Sequence, residues 1–338
     1  MLPIETKNSL FGLYLYPAAK EIMEKQQDIS WSAQEIPVDD DKHDYLSKMS
    51  VPQRKLTDTT LQLFVEIEQR VGDIWGVIAS WFPHSEIEGA CIEISRMEKA
   101  VHAFFYQKMS DVLNLVPEDI AEQQQTIKVL RDKLVLLEQI TSNLDKDKAL
   151  TLFTVGAIEQ VLLFSNFAML KSFKANGNNL IKKTLTGVDY VIQDEQLHGV
   201  FATYLHNTYI EELATSVIPV HYMPAHNINC VNVIKEIIAH EDAVINYVYE
   251  GVDSINDITP EQLRIFIRSR ANVLLTEMNF APMYDIQSSE DKISQWFYKG
   301  IKAIKVHDFF AASTTQYRKN WRLDNFSRLS HMKGNHEQ

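Results

Sequence analysis

The chain has 338 residues, 45% hydrophobic and 23% charged, the ordinary balance of a folded globular protein with enough apolar content for a large core. Its 33 basic and 45 acidic residues give a formal net charge of −12, which repels phosphate backbones and argues against direct nucleic-acid binding. Two cysteines, Cys91 and Cys230, are too few for a disulfide framework, and Met1 to Lys25 lacks the basic-then-apolar order of an export signal, so reduced thiols in the cytoplasm are expected.

Helical spacing of apolar residues dominates, with no run of strict alternation, and prolines set the limits of the helices. Residues 1–56 read as an irregular N-terminal arm. Helices are predicted over about 57–81 and 85–113, separated by Pro83, and from Pro117 to about 142. The next covers about 148–174 and ends at the turn signal Asn176-Gly177-Asn178-Asn179. Its stretch Leu150 to Leu170 is long enough to span a bilayer, for which about 20 residues suffice. Glu159 and Gln160 lie at its centre, however, where a charge in lipid costs at least about 2.5 kcal/mol. A helix buried in protein is therefore expected, with no membrane association. Further helices are predicted over about 181–211, 229–250 and 259–278, and the polar stretch 311–338 reads as a flexible tail that orders on a partner. The fold class is all-α: one domain, residues 1–310, followed by that tail.

Three helices carry acidic or histidine side chains in apolar surroundings. In Asp194-Glu195-Gln196-Leu197-His198, Glu195 and His198 are three apart, share a helix face and can bind one metal ion. Glu-x-x-His also occurs on solvated helices by chance. Glu159 changes the balance, because a carboxylate within Ala157-Ile158-Glu159-Gln160-Val161-Leu162 is costly to bury unless paired or bound to metal. The third element is His102-Ala103-Phe104-Phe105-Tyr106, with His102 and Tyr106 one turn apart, about 6 Å along one face. Taken alone, Tyr106 reads as a core tyrosine.

Inward carboxylates with Glu-x-x-His pairs characterise ferritin-like helical bundles that hold two metals. With the His-x-x-x-Tyr spacing, the chain from about Trp31 to Tyr317 resembles the small, radical-generating subunit of class I ribonucleotide reductase. The resemblance implies a ferritin-like bundle with extra helices and a dinuclear iron or manganese centre. It implies a stable radical on Tyr106, used by a large catalytic subunit to reduce ribonucleotides to deoxyribonucleotides. It assigns Glu68, His102, Glu159, Glu195 and His198 as ligands and Phe167 to the radical pocket. Trp31, Asp194 and Tyr317 match the radical-transfer path. The implied partners are a second copy in a homodimer, the large subunit through the C-terminal tail, and an activating flavoprotein.

One position departs from the pattern. The family's first pair is Glu-x-x-His, and three residues before His102 stands Lys99. Glu98 lies four before it and reaches the same face if the helix bulges by one residue. Four carboxylates balance two divalent cations, whereas Lys99 in place of one leaves a net charge that a single cation balances. Three arrangements follow: Glu98 substitutes and the site is dinuclear; Lys99 is an internal cation beside one metal; or the radical site is metal-free. The rival functions are a ferritin-like oxidase or hydroxylase and a non-catalytic homologue with a degenerate site.

Overall fold

The computed structural model describes residues 2–7, 14–115, 117–175, 177–216, 222–299 and 301. Tyr317 and the predicted tail at 311–338 lie outside the described residues. The described residues are helical, with an isolated bridge between Ile255 and Ile258 and no strand. The order is α1 (Pro17–Asp28), α2 (Val51–Ala79), α3 (Ser85–Met97), α4 (Ala103–Val112), α5 (Pro117–Thr126), α6 (Lys128–Thr141), α7 (Lys148–Ala157), α8 (Phe164–Ala175), α9 (Lys182–Ala214), α10 (Tyr222–Val248), α11 (Pro260–Glu277) and the short α12 (Ser294–Phe297).

Local chemistry sets the boundaries. Ser50 caps α2 in a reciprocal box with Gln53, and Thr259 does the same for α11 with Gln262. Asp147 caps α7 by accepting from the Leu150 amide at 3.1 Å. The predicted helix 85–113 is continuous in path but not in hydrogen bonding. Glu98–His102 is a π turn between α3 and α4, Ile158–Leu162 is a second one between α7 and α8, and Asp44–Lys48 in the N-terminal region is a third. The stretch predicted from Pro117 to 142 is two helices, broken at Ile127, which adopts an extended conformation (ψ 108°).

The N-terminal region differs from the irregular arm expected there. Pro17 opens α1, which packs on α3 and α9, and α2 begins at Val51. Asp41 accepts from the Lys183 and Thr184 amides at 3.2 and 2.6 Å, and Asp44 from that of Ile181 at 3.1 Å. These carboxylates satisfy the free N–H groups at the start of α9 and complement its dipole. The arm is therefore a cap and cover for the bundle.

Four pillars enclose the core: α2, α3 with α4, α7 with α8, and α9. Within the apolar helical stretch Lys148–Ala175, residues 151–173 are all buried, as expected for a core helix. Burial on all sides is why it reads as apolar all round.

Candidate metal centre

Each pillar contributes to one buried cluster. Glu68 comes from α2, Glu98 and His102 from the first π turn, Glu159 from the second, and Glu195 and His198 from one face of α9. All six are 0% exposed. Their donor atoms form two sets, Glu68–Glu98–His102–Glu195 and Glu98–Glu159–Glu195–His198, each within 4.8 Å. Glu98 and Glu195 belong to both, the arrangement of two adjacent sites with shared carboxylates.

The imidazoles point their Nδ1 atoms inward. His102 Nδ1 faces Glu195 Oε1 at 3.1 Å, Glu68 Oε2 at 3.4 Å and Glu98 Oε2 at 3.7 Å. His198 Nδ1 faces Glu98 Oε1 at 2.7 Å, Glu195 Oε2 at 3.1 Å and Glu159 Oε1 at 3.9 Å. On the outer side, His102 Nε2 donates to Asp194 Oδ2 at 3.0 Å and His198 Nε2 to Gln26 Oε1 at 3.1 Å. Outward Nε2–H donation leaves both inward Nδ1 lone pairs free for a metal.

The donor set fits two divalent cations. Glu68 Oε1, both oxygens of Glu98, Glu159 Oε2 and Glu195 Oε1 are buried without a hydrogen bond. Glu98 Oε1 is 2.7 Å from His198 Nδ1 without hydrogen-bond alignment, since that nitrogen is aligned on Glu195 Oε2 at 3.1 Å instead. Without cations the cluster is neutralised by protons. Burial, then the charge of Glu98, raises the Glu68 carboxyl well above its usual range, and burial with Glu195 and Glu98 does the same to Glu159. Burial opposes ionisation of Glu98 and Glu195 too, but the protonated carboxyls and the imidazolium charges facing them outweigh it and lower both. Against the penalty of burial, Asp194 and the cluster carboxylates raise His102 well above its ordinary value, and Glu195 with Glu98 carries His198 up to about 9.

Beside this cluster the Tyr106 hydroxyl is fully buried and makes no hydrogen bond. Its ring stacks on Phe64 with centroids 4.5 Å apart, and Phe64 stacks in turn on Phe167 at 4.8 Å. Burial, then the charge of Glu68, pushes the phenol well above its usual pKa. On the far side of His102, Asp194 Oδ2 also accepts from Trp31 Nε1 at 2.8 Å. His102, Asp194 and Trp31 thus form a continuous hydrogen-bonded chain away from the cluster.

Residues 13–292 match the family model "Ribonucleotide reductase, small chain". The chain belongs to this family. It is 21% identical over 327 residues to the "Probable ribonucleoside-diphosphate reductase small subunit 048L" of Invertebrate iridescent virus 3, covering 91% of this chain and 84% of the relative. A counterpart from Invertebrate iridescent virus 6, small subunit 376L, is 23% identical over 307 residues, 81% of this chain and 84% of its own. The fold is that of dimanganese(II)-NrdF from Streptococcus sanguinis (TM-score 0.73, 19% identity, 88% of this chain and 99% of that one). It is also that of the ribonucleotide reductase R2 subunit from Clostridium botulinum (TM-score 0.70, 15% identity, 84% and 89%).

For this small-chain member, the structure corrects one expectation at the departing position. Lys99 is not an internal cation: its side chain is 42% exposed and pairs with Asp73 at the surface. The π turn adds one residue to the helical turn, which swings Lys99 outward and brings Glu98 inward beside His102. Its stem crosses α2 at Gly72, where a Cβ would collide with Lys99 Cγ and stand 3.1 Å from Glu98 Cβ. The premise for a single cation, a lysine among three carboxylates, is thereby removed.

Three contributors were not among the sequence candidates. Gln26 joins both halves of the site, donating to Asp194 Oδ1 at 2.9 Å and accepting from His198. Trp75 Nε1 donates to Glu159 Oε1 at 2.6 Å, and Phe64 covers Tyr106. Trp75 was findable, lying seven residues after Glu68 on the same face of α2. Gln26 carries no such signal.

Proposed function

We propose that this chain generates and stores a radical on Tyr106 and delivers it to a large catalytic subunit, which reduces ribonucleotides to deoxyribonucleotides. The observation that carries the reading is the Tyr106 hydroxyl, fully buried and without a hydrogen bond to the protein beside the shared-carboxylate cluster. Glu68, Glu98, His102, Glu159, Glu195 and His198 would hold two iron or manganese ions. When bound and raised above the divalent state by an oxygen-derived oxidant, these ions would supply the one-electron oxidising power that the amino acids lack.

The protein's own part is to place a phenol and keep it dry. Burial and the nearby carboxylates disfavour the phenolate, so Tyr106 gives up its proton together with the electron. Phe64 and Phe167 deny the oxidised ring hydrogen donors and solvent. Asp194 holds Trp31 and His102 on a single oxygen, so that oxidation of Trp31 and rearrangement around His102 are linked through one acceptor. Tyr317, in the tail 311–338, is the proposed next carrier and the tail the proposed contact with the large subunit. A homodimer in the cytoplasm, loaded with help from a flavoprotein when the metal is manganese, completes the reading.

Tyr106→Phe tests it. The variant is expected to bind two metals per chain, to lack a tyrosyl signal in electron paramagnetic resonance, and to support no nucleotide reduction with the large subunit. Retained reduction would overturn the assignment.

A further inference from the structure

A second cluster lies away from the carboxylates, where the C-terminal part of α9 meets the first turns of α10. His206 and His226 are each 2% exposed and Cys230 is 0% exposed. His206 Nε2 and His226 Nε2 are 3.2 Å apart, and Cys230 Sγ is 3.4 Å from the same His226 Nε2. One donor atom from each of the three residues falls within 4.8 Å of the others. A tetrahedral zinc ion with bonds of about 2.05 Å to nitrogen and about 2.3 Å to sulfur separates its donors by about 3.3 Å (nitrogen to nitrogen) and about 3.5 Å (nitrogen to sulfur). The two observed separations match those edges.

We propose that His206 Nε2, His226 Nε2 and Cys230 Sγ form a second metal site, selective for zinc or a similar borderline-soft divalent cation. It is distinct from the carboxylate centre and independent of the function proposed for it.

The surroundings suit that role. His206 Nδ1 donates to Asn207 Oδ1 at 3.1 Å, which fixes the tautomer and leaves the Nε2 lone pair facing His226. Burial lowers both imidazoles, His206 to about 4, so they are neutral and need lose no net charge to bind. Cys230 and His226 are four apart on α10 and share its inner face. Tyr222 stacks on His226 at 6.0 Å with planes 5° apart, and Phe153 and Phe280 close against His206. Two imidazoles and a thiolate are the donors that favour zinc over magnesium or calcium.

Charge balance also holds. The thiolate cancels one of the cation's two charges. Asp147, whose charge acts on His206, His226 and Cys230 alike and which accepts from the Tyr222 hydroxyl at 3.1 Å, cancels the other. On binding, the thiol proton is released and the ion replaces the proton shared by the two Nε2 atoms. The proton of His226 then moves to Nδ1. An ion there would clamp α9 to α10.

Cobalt(II) titration of the metal-free, full-length protein tests the site, because only a thiolate ligand gives a sulfur-to-cobalt charge-transfer band in the near ultraviolet. The expected result is one cobalt beyond the two of the carboxylate centre, accompanied by that band and displaced by zinc. Cys230→Ser is expected to abolish the band and the extra equivalent while leaving two equivalents bound. Absence of the band in the wild-type protein at saturating cobalt overturns the site whatever the variant does, and so does a band that persists in Cys230→Ser. Failure of the carboxylate centre to load would leave the band intact, so the two proposals fail separately.

Discussion

Glu98→Gln isolates the consequence of the π turn. Glu98 stands in both halves of the cluster, with His198 Nδ1 at 2.7 Å and His102 Nδ1 at 3.7 Å. Replacing it leaves three carboxylates for two divalent cations, hence one uncompensated positive charge in a fully buried site. Removing one partner of a buried ion pair costs about 3–5 kcal/mol. At 1.4 kcal/mol per tenfold, affinity for the second cation falls by roughly two to three and a half orders of magnitude. Lys99→Gln is the control: its pair with Asp73 is exposed on both sides, and such pairs contribute about 0–1 kcal/mol. Anaerobic calorimetric titration with manganese(II) or iron(II), together with metals counted per chain, measures both variants. The metal-free form of Glu98→Gln is expected to fold normally, since it buries one carboxylate fewer. Two metals bound by Glu98→Gln at wild-type affinity, or a large loss in Lys99→Gln, would refute the assignment of Glu98 as the shared carboxylate.

Metal loading is expected to release protons near neutral pH, from His102 and His198 and from the raised carboxyls of Glu68 and Glu159, which must all be deprotonated to ligate. Calorimetry in buffers of different ionisation enthalpy checks this, and a buffer-independent heat would contradict it. The same groups bind more protons folded than unfolded, so the metal-free protein should lose stability as pH rises from about 4.5, the unfolded carboxyl value of Glu68 and Glu159, past about 6.5, the unfolded histidine value, and through about 9, where His198 deprotonates, whereas the loaded protein should not. Melting temperatures across that range separate the two. Phe64→Ala opens the wall against Tyr106 and is expected to cost about 3–5 kcal/mol in denaturant unfolding while shortening the radical's lifetime; an unchanged lifetime would remove Phe64 from the pocket's function. Trp31→Phe keeps the ring but deletes the donor to Asp194, and should abolish nucleotide reduction while leaving the tyrosyl signal on Tyr106.

Much of this was legible before any coordinates. Prolines and 3.6-residue periodicity marked the long helices, because each buries one stripe or, for residues 151–173, every side. The helix α1 was not legible. Pro17-Ala18-Ala19-Lys20-Glu21-Ile22-Met23-Glu24-Lys25-Gln26-Gln27-Asp28 offers few apolar residues, and its buried Gln26 is justified only by two partners more than 160 residues away. The ligands on α9 and in the buried helix stood out because a carboxylate in apolar sequence needs a reason. The π turns did not, since one added residue shifts the phase of a helix by about 100°, no more than the width of the apolar stripe itself. Glu98 entered only as an alternative at four-residue spacing, and the choice between it and Lys99 rested on a backbone feature that periodicity does not encode.

The two π turns that carry cluster carboxylates explain each other. Each places one cluster carboxylate, Glu98 or Glu159, where an unbroken α-helix would carry the next residue, and each gives up regular i to i−4 bonds at a buried position. Such distortion persists only where neighbouring structure holds it. For Glu98–His102 the support is Gly72, whose missing Cβ leaves room for Glu98 Cβ and the Lys99 stem, with Ser95 Oγ donating to the Gly72 carbonyl at 2.7 Å. For Ile158–Leu162 it is Arg270, whose Nε donates to the Gln160 carbonyl at 2.9 Å, and Gln160 itself, whose Nε2 donates to the Gly199 carbonyl at 3.0 Å. Gly199 has the same property as Gly72, because a Cβ there would collide with Gln160 Cγ. Glycine on the facing helix is thus the shared device. Gly72→Ala should gain about 1 kcal/mol of helix propensity, lose about 1–3 kcal/mol to overpacking, and leave the fold near its original stability while weakening metal binding. A Gly72→Ala protein that binds both metals as tightly as the wild type would show that the turn at Glu98 does not depend on that gap.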